Sequence, residues 1–258
     1  MTGIFRRHWP GQSDRPALAL HCMLASGSYW GGIAGHLGGR VDLSGFDMPG
    51  HGRSDDWTPG PDDPDYHTAV TRIAASFITR PLDLIGHSMG ATVALRLAVA
   101  APEAVRSLTL IEPVLFAAAP DPDEQARDRQ MQRLLSEGRR EEAARGFVAV
   151  WGAQDFDDLP ARMQQQMIDR IHLVAAAGPT LSQDRADILR KGGLESIHAP
   201  VMLISGQQSP PVIHRIAGAL AERLPDVGRA TVPGAGHMLP ITHPEQVAGL
   251  IAVNLDRA

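Results

Sequence analysis

One short run of this sequence combines a nucleophile with a backbone that can expose it: Gly86-His87-Ser88-Met89-Gly90. The apolar residues 82–85 before it predict a buried strand, and residues 91–98 after it predict a helix. At such a switch the turn strains the serine backbone and crowds both flanking positions, where glycine has no Cβ atom to clash. The turn presents the hydroxyl beside the unpaired N–H groups of a helix N-terminus. A serine next to an anion-stabilising site indicates acyl transfer.

A second candidate for this chemistry is a histidine near the end of the chain, in Gly234-Ala235-Gly236-His237-Met238. This loop follows the last predicted strand, and the carboxyl ends of parallel strands line the ligand crevice of an open α/β sheet. Its position and glycine context favour His237, among 11 histidines, as the general base. The segment 21–27 follows the first strong strand in the same way and can offer a backbone N–H to an oxyanion.

The composition excludes several other classes of protein. The chain has 258 residues, of which 43% are hydrophobic and 21% charged, as in ordinary globular proteins. A net charge of −5 without a basic block argues against a nucleic-acid partner. The single cysteine, Cys22, excludes an intrachain disulfide and fits a reducing compartment. No apolar stretch is long enough for a signal peptide or for a membrane span of roughly 18 residues, so a cytoplasmic protein is expected.

The elements that must position these residues form two blocks of alternating strands and helices. Strands are predicted at 17–20, 41–46, 82–85, 105–111, 201–205 and 229–232. Helices are predicted at 66–79, 91–98, 212–224 and 244–255. This alternation indicates a parallel sheet covered on both faces. Between the blocks, from about 120 to 194, the sequence predicts three or four helices with breaks near Gly138, Pro160 and Gly178-Pro179, and therefore a helical insertion.

Together these motifs resemble those of the α/β-hydrolase-fold serine hydrolases, from about residue 17 to the C-terminus. The turn Asp47-Met48-Pro49-Gly50-His51-Gly52-Arg53-Ser54, the Ser88 motif and the Gly236-His237 loop are hallmarks of that family. The order of nucleophile, acid and histidine along the chain also agrees. Within the turn, Asp47 and His51 are expected to hold the backbone rather than a metal, since no third ligand lies at a suitable spacing.

The resemblance implies a three-layer α/β fold with a mostly parallel sheet, helices on both faces and an inserted helical lid. It divides the chain into a core of residues 1–113 and 195–258 and a lid of residues 114–194, inserted after the strand that ends at Glu112. It further implies that the backbone N–H groups of Met23 and Met89 form the oxyanion hole, and that no cofactor or metal takes part.

Two positions depart from the family pattern. Cys22 replaces the glycine that usually follows the histidine of the oxyanion loop, and a small buried thiol is expected there. The family commonly carries its acid just after the strand at 201–205, where this sequence has Ser209. Some members place it after the preceding strand, which here ends at Glu112. A carboxylate there needs a partner to offset desolvation, and an imidazole N–H would supply one. We therefore assign Glu112 as the acid that orients His237; the alternative is a Ser–His dyad, with Glu112 bonded to a loop N–H.

An apolar acyl pocket beneath the lid is also expected. Its candidate lining residues are Trp30, Trp151, Met131, Met163 and Met167. A methionine stripe at helical spacing is, however, more often simply part of the core of a lid.

The sequence thus predicts a hydrolase that cleaves a small or medium carboxylic ester through an acyl-enzyme on Ser88. Acyl transfer, perhydrolysis or carbon–carbon cleavage by the same residues are alternatives, because the fold does not decide among them. Another alternative is a small-ligand-binding protein that keeps these residues without turnover, which the missing aspartate motivates.

Overall fold

The computed structural model describes residues 3–258 and is built on one seven-stranded sheet. In chain order the strands are β1 (Arg6–Trp9), β2 (Pro16–Leu20), β3 (Asp42–Phe46), β4 (Leu82–His87), β5 (Val105–Ile111), β6 (Val201–Gly206) and β7 (Val227–Val232). The helices of the described residues are α1 (Trp30–Leu37), α2 (Tyr66–Ala75), α3 (Met89–Ala100), α4 (Pro122–Ser136), α5 (Arg140–Trp151), α6 (Ala161–Gln183), α7 (Pro211–Ala221), α8 (Leu239–Thr242) and α9 (Pro244–Leu255).

The strands lie in the order β1-β3-β2-β4-β5-β6-β7, and only the pairing of β1 with β3 is antiparallel. From β2 the chain passes to β3 on one side and then returns to β4 on the other side of β2. The carboxyl ends of β2 and β4 therefore flank the point where the strand order reverses. Ligands of open α/β sheets bind at such a point.

The buried strands have apolar residues on both faces, as a sheet covered by helices requires. In β2, Leu18 and Leu20 contact the face covered by α2, α3 and α7, whereas Ala17 and Ala19 contact the face covered by α1 and α9. The predicted three-layer α/β fold is confirmed.

The segment between β5 and β6 contains α4, α5 and α6, and no strand lies among its residues. The predicted breaks near Gly138 and Pro160 fall at the ends of these helices, but the break at Gly178-Pro179 is wrong, because α6 continues through Pro179. Proline removes one helical hydrogen bond, and the burial of Ala177, Thr180 and Leu181 holds the last turns in place. The division into core and lid at residues 114–194 stays a prediction.

Three elements escaped the sequence patterns: β1, α1 and the four-residue helix α8. Strand β1 carries Arg6, Arg7 and His8 and lies at an edge of the sheet, where charged residues are common. Helix α1 contains three glycines, which are poor helix formers, and packing of its apolar face offsets that weakness. Among residues 3–258, no helix has the length and apolar character needed to cross a bilayer.

The Asp47 side chain connects the edge strand β1 to two loops that follow the carboxyl ends of β2 and β3. Its side chain is fully buried and accepts two hydrogen bonds from the Arg7 guanidinium, each 2.9 Å long. It also accepts the N–H groups of Gly27 and Arg53, each at 2.9 Å. Gly52 has φ +56°, and a Cβ atom there would clash with the Asp47 carboxylate, so the turn requires glycine. The expected turn-holding role of Asp47 fits these contacts.

Replacing Asp47 with alanine should lower the free energy of unfolding by about 3 kcal/mol, because it leaves a largely buried guanidinium and two amides unpaired. Denaturant unfolding of the wild type, Asp47→Ala and Asp226→Ala measures this. Asp226 pairs with Arg257 at the surface, so Asp226→Ala should cost less than about 1 kcal/mol. Equal losses in the two variants would contradict the role assigned to Asp47.

Candidate active site

Ser88 lies in the sharp turn between β4 and α3, with φ +57° and ψ −120°. Its N–H donates to the Ile111 carbonyl at 2.9 Å, which fixes the turn against β5. A Cβ atom on Gly86 would clash with the Gly90 carbonyl, and one on Gly90 would clash with the Leu20 carbonyl. The two glycines are therefore needed for this turn, and the positive φ of Ser88 is backbone strain that the close packing maintains.

His237 bridges Ser88 and Glu112. Its Nε2 lies 3.0 Å from Ser88 Oγ, and its Nδ1 lies 2.8 Å from Glu112 Oε2. The other oxygen of Glu112, Oε1, accepts the Gly206 N–H at 2.7 Å. Glu112 is fully buried, and His237 and Ser88 are at most 8% exposed. The structure brings the three residues singled out in the sequence into one chain of hydrogen bonds.

The direction of these bonds follows from the groups involved. The Glu112 carboxylate can only accept, so the proton on the His237 ring is on Nδ1. Nε2 is then the unprotonated nitrogen and can accept the Ser88 hydroxyl proton. This is the tautomer that a general base for a serine nucleophile needs.

Glu112 reaches the imidazole because the chain bends sharply where β5 ends. Its φ is +52°, and its N–H donates to the Ile204 carbonyl at 2.9 Å. A left-handed conformation is unusual for a glutamate. Glu112 adopts this conformation at the point where its side chain links the ends of β5 and β6 to the loop after β7.

The loop after β2 lies beside the Ser88 turn, because Leu20 pairs with Gly86 in the sheet. Within this loop the Leu24 N–H donates to His51 Nε2 at 3.0 Å, and the Cys22 carbonyl accepts from His21 Nδ1 at 2.7 Å. The N–H of Met23 between them makes no hydrogen bond to another described residue.

The Met89 N–H, at the first position of α3, is likewise without a partner among residues 3–258. It lies at the positive end of the helix. Met23, Ser88 and Met89 line one cavity, and two amide donors without partners near a serine hydroxyl can stabilise an oxyanion. Cys22 is buried, and burial raises the pKa of its thiol to about 12, so its thiolate is not formed near neutral pH.

A cavity of about 970 Å³, including its open mouth, lies over Ser88 and His237. Its walls are mostly apolar and come from the loop after β5 and from α4, α5 and α6. They include Val114, Phe116, Met131, Leu134, Phe147, Val150, Trp151, Val174 and Leu181. Glu124, Arg127 and Asp128 add a charged patch from α4, in which the Glu124 carboxylate pairs with Arg127 at 2.7 Å. Burial raises the pKa of the Glu124 carboxyl.

Of the five residues predicted to line an acyl pocket, Trp151 and Met131 do so. The Trp151 ring meets the His237 ring edge to face, with centroids 4.7 Å apart. Trp30, Met163 and Met167 do not line the cavity, so the prediction is wrong for these three residues. Trp30 is the first residue of α1 and is fully buried. Its helix packs with α9 on the face of the sheet opposite α2 and α3, away from the cavity.

Met163, in the first turn of α6, is 43% exposed. Met167 packs in the cluster that joins α4, α5 and α6, which is the lid-core alternative for a methionine stripe. Phe116 and Phe147 line the cavity and were missed. The spacing of Phe147, Val150 and Trp151 along α5 is the signal that points them to one side of that helix.

Two buried histidines, both in their neutral form, hold the loops around the site. His21 Nε2 accepts the Met48 N–H at 2.9 Å, and His51 Nε2 accepts the Leu24 N–H at 3.0 Å. Burial lowers the pKa of His21 to about 4 and the pKa of His51 to about 3. Both rings are therefore acceptors at neutral pH. Among residues 3–258, no group of three His, Cys, Asp or Glu side chains could hold a metal ion.

The parallel sheet, the strained serine at the end of its central strand and the histidine–carboxylate pair define an α/β protein whose site has the geometry that nucleophilic chemistry requires. The family model described as "alpha/beta hydrolase fold" matches residues 16–244. The chain belongs to this family.

Its relatives are hydrolases. A pimeloyl-(acyl-carrier protein) methyl ester esterase of Methylococcus capsulatus is 29% identical over 245 residues, covering 90% of this chain and 91% of the relative. A lipase of Mycobacterium tuberculosis is 25% identical over 270 residues, covering 97% and 96%. An alpha/beta hydrolase enzyme from a Medee basin deep-sea metagenome library has the same fold, with a TM-score of 0.79 at 15% identity, covering 100% of this chain and 95% of that chain. These likenesses support hydrolase activity for this protein.

The buried neutral histidines predict how stability depends on pH. Between about pH 6.5 and pH 4 an unfolded chain takes up protons on its histidines, whereas folded His21 and His51 do not. The free energy of unfolding should therefore fall as the pH falls through this range. Melting temperatures measured from pH 7 to pH 4 test this.

His51→Gln is the matched variant, since the amide oxygen can still accept the Leu24 N–H but does not titrate. We expect a shallower decline for this variant than for the wild type. His67, whose pKa burial also lowers to about 4, contributes equally to both proteins. Identical slopes would contradict a neutral, loop-holding His51.

Proposed function

We propose that this protein is a serine hydrolase that cleaves a carboxylic ester with a small or medium acyl group through an acyl-enzyme on Ser88. The observation that carries the proposal is the bridging position of His237, 3.0 Å from Ser88 Oγ and 2.8 Å from Glu112 Oε2. A serine hydroxyl is a weak nucleophile at neutral pH and needs an adjacent base of this kind.

In the proposed acylation, Ser88 Oγ attacks the carbonyl carbon while His237 Nε2 takes its proton. The imidazolium then gives that proton to the leaving alcohol as the ester bond breaks. Glu112 holds the tautomer and stabilises the imidazolium. Its burial strengthens that interaction, because little solvent screens it.

The negative charge that develops on the carbonyl oxygen would be bound by the amides of Met23 and Met89. Each such donor contributes on the order of 3 kcal/mol to lowering the barrier. In the second half of the reaction, His237 removes a proton from water, which attacks the acyl-enzyme and releases the carboxylic acid.

An ester as the substrate agrees with the cavity and with the relatives. Apolar side chains surround the space next to Ser88 and suit an uncharged acyl group. Two of the similar proteins are named for ester or lipid hydrolysis, a methyl ester esterase and a lipase. In this proposal the acyl chain lies against the apolar side chains of α4, α5 and α6 that line the cavity next to Ser88.

Ser88→Ala should abolish ester turnover and leave the melting temperature close to that of the wild type, because it removes only the nucleophilic oxygen. Intact-mass analysis after exposure to a fluorophosphonate measures labelling, p-nitrophenyl esters of increasing acyl length measure turnover, and thermal denaturation measures the melting temperature. The wild type should gain one label on Ser88 and turn over repeatedly. A folded wild type without label or turnover would support a ligand-binding protein instead, and activity above a few per cent in Ser88→Ala would remove Ser88 as the nucleophile.

Glu112→Gln should lower kcat by roughly 10³-fold or more, because an amide can present its N–H to His237 and favour the wrong tautomer. Ser209→Ala is the control at the position where the family commonly carries its acid. The Ser209 hydroxyl is buried and has no hydrogen-bond partner among the described residues, so this variant should keep kcat within about twofold. A near-normal rate in Glu112→Gln would indicate a Ser–His dyad.

A further inference from the structure

A chain of three hydrogen bonds behind the site joins the loop after β2 to the loop after β7. The Cys22 N–H lies 3.1 Å from the Tyr29 hydroxyl, and that hydroxyl lies 3.0 Å from His87 Nδ1. His87 Nε2 in turn lies 2.9 Å from the carbonyl oxygen of His237. Cys22 immediately precedes Met23, so one end of the chain lies next to the proposed oxyanion donor and the other at the proposed base.

Each bond in this chain has one possible direction. The His237 carbonyl can only accept, so His87 carries its proton on Nε2. His87 is fully buried, and desolvation holds its pKa well below the usual range, so the ring is neutral and Nδ1 is an acceptor. Tyr29 must then donate its hydroxyl proton to Nδ1 and accept the Cys22 N–H with its oxygen. Within this series of three hydrogen bonds, the Tyr29 oxygen is thus the one atom that both donates and accepts.

This chain constrains the amide of Met23. The N–H of Cys22 is held by Tyr29 and the N–H of Leu24 by His51. Leu24 has φ +60°, an unfavourable conformation for a leucine that these bonds help to maintain. Of these three consecutive amides, only that of Met23 has no hydrogen-bond partner among the described residues. Neither Tyr29 nor His87 lines the cavity, so neither contacts a substrate there.

We infer that Tyr29 is a positioning residue for the oxyanion hole, which it fixes through the Cys22 amide while His87 anchors its hydroxyl to the His237 loop. The inference rests on the proposed function and adds to it a residue outside the cavity. It predicts that the Tyr29 hydroxyl matters more in the transition state than in the ground state, since the Met23 amide binds charge that is present only in the transition state.

Tyr29→Phe removes this hydroxyl and keeps the ring, which packs against Trp30 and His87 with centroids 5.0 Å and 5.9 Å away. On the p-nitrophenyl ester that the wild type hydrolyses best, kcat should fall roughly 10- to 100-fold, and KM should stay within about twofold. The loss is smaller than for a missing oxyanion donor, because the Met23 amide is still present and only shifts its position. A trifluoromethyl ketone with the same acyl chain should bind more weakly by the same factor as kcat/KM. The carboxylate product should bind as in the wild type.

The pH profile separates an effect on the oxyanion hole from an effect on the base. The midpoint of the kcat/KM profile should stay at the wild-type pH, because His237 keeps both its bonds to Ser88 and Glu112. Ser28→Ala is the control, since Ser28 is the exposed residue next to Tyr29 and its hydroxyl hydrogen-bonds only the Ser26 hydroxyl among the described residues. This variant should match the wild type in every assay.

Wild-type kcat in Tyr29→Phe would overturn the inference. So would an equal loss of affinity for ketone and product together with a lowered melting temperature, since that pattern describes a merely structural residue. A wild type that neither labels with fluorophosphonate nor turns over would instead refute the proposed function, and the role of Tyr29 with it. Activity in the wild type with a normal Tyr29→Phe leaves the proposed function intact.

Discussion

Glu112 carries a carboxylate that is completely removed from solvent, and the site is arranged around its need for partners. An ionised carboxylate in such a place is stable only if it is hydrogen-bonded and near compensating charge or dipoles. It receives the Nδ1–H of His237 and the N–H of Gly206. These donors come from the loop after β7 and from the last residue of β6, so the Glu112 side chain connects the ends of three strands. Because the His237 proton on Nδ1 is donated to Glu112, Nε2 of His237 faces Ser88 as an acceptor.

The sheet makes this arrangement possible by placing strained residues next to one another. Leu24, Ser88 and Glu112 follow β2, β4 and β5, and each has a positive φ. For non-glycine residues such conformations cost on the order of 1 kcal/mol each. The surrounding bonds retain them: Ser88 N–H to the Ile111 carbonyl and Glu112 N–H to the Ile204 carbonyl continue the pattern of the sheet beyond the strands. A rigid parallel sheet thus holds three bends around the site: one lies next to the Met23 amide, one carries the Ser88 hydroxyl, and one carries the Glu112 carboxylate.

Much of this could be predicted from the sequence because the signals are local. The spacing of the two glycines around Ser88 is a local signal, although the clash that requires glycine at position 90 is with Leu20 of the neighbouring strand. Gly236-His237 follows a strand that its own pattern reveals. Glu112 was found because Pro113 ends the strand and because Ser209 occupies the commoner place of the acid. The central strands and the helical segment between β5 and β6 were also predicted, since their apolar patterns are strong.

The rest depended on contacts between distant residues. Trp30 and Trp151 are both large aromatic residues in helical segments, and the sequence does not say which face of the sheet each helix covers. Trp30 packs with α9 on the far side, whereas Trp151 contacts His237. Pro179 is a strong local break signal that tertiary packing overrides. The chain from Cys22 through Tyr29 and His87 to His237 joins positions up to 150 residues apart, and no pattern along the sequence announces it.

The central claim is that Ser88 becomes covalently acylated. Rapid acid quenching of the enzyme during turnover of a p-nitrophenyl ester, followed by peptide mass analysis, tests it directly. The peptide containing Ser88 should gain the mass of the acyl group, and this species should form and decay at rates consistent with kcat. Turnover without any acylated Ser88 peptide, or acylation at another residue, would contradict it.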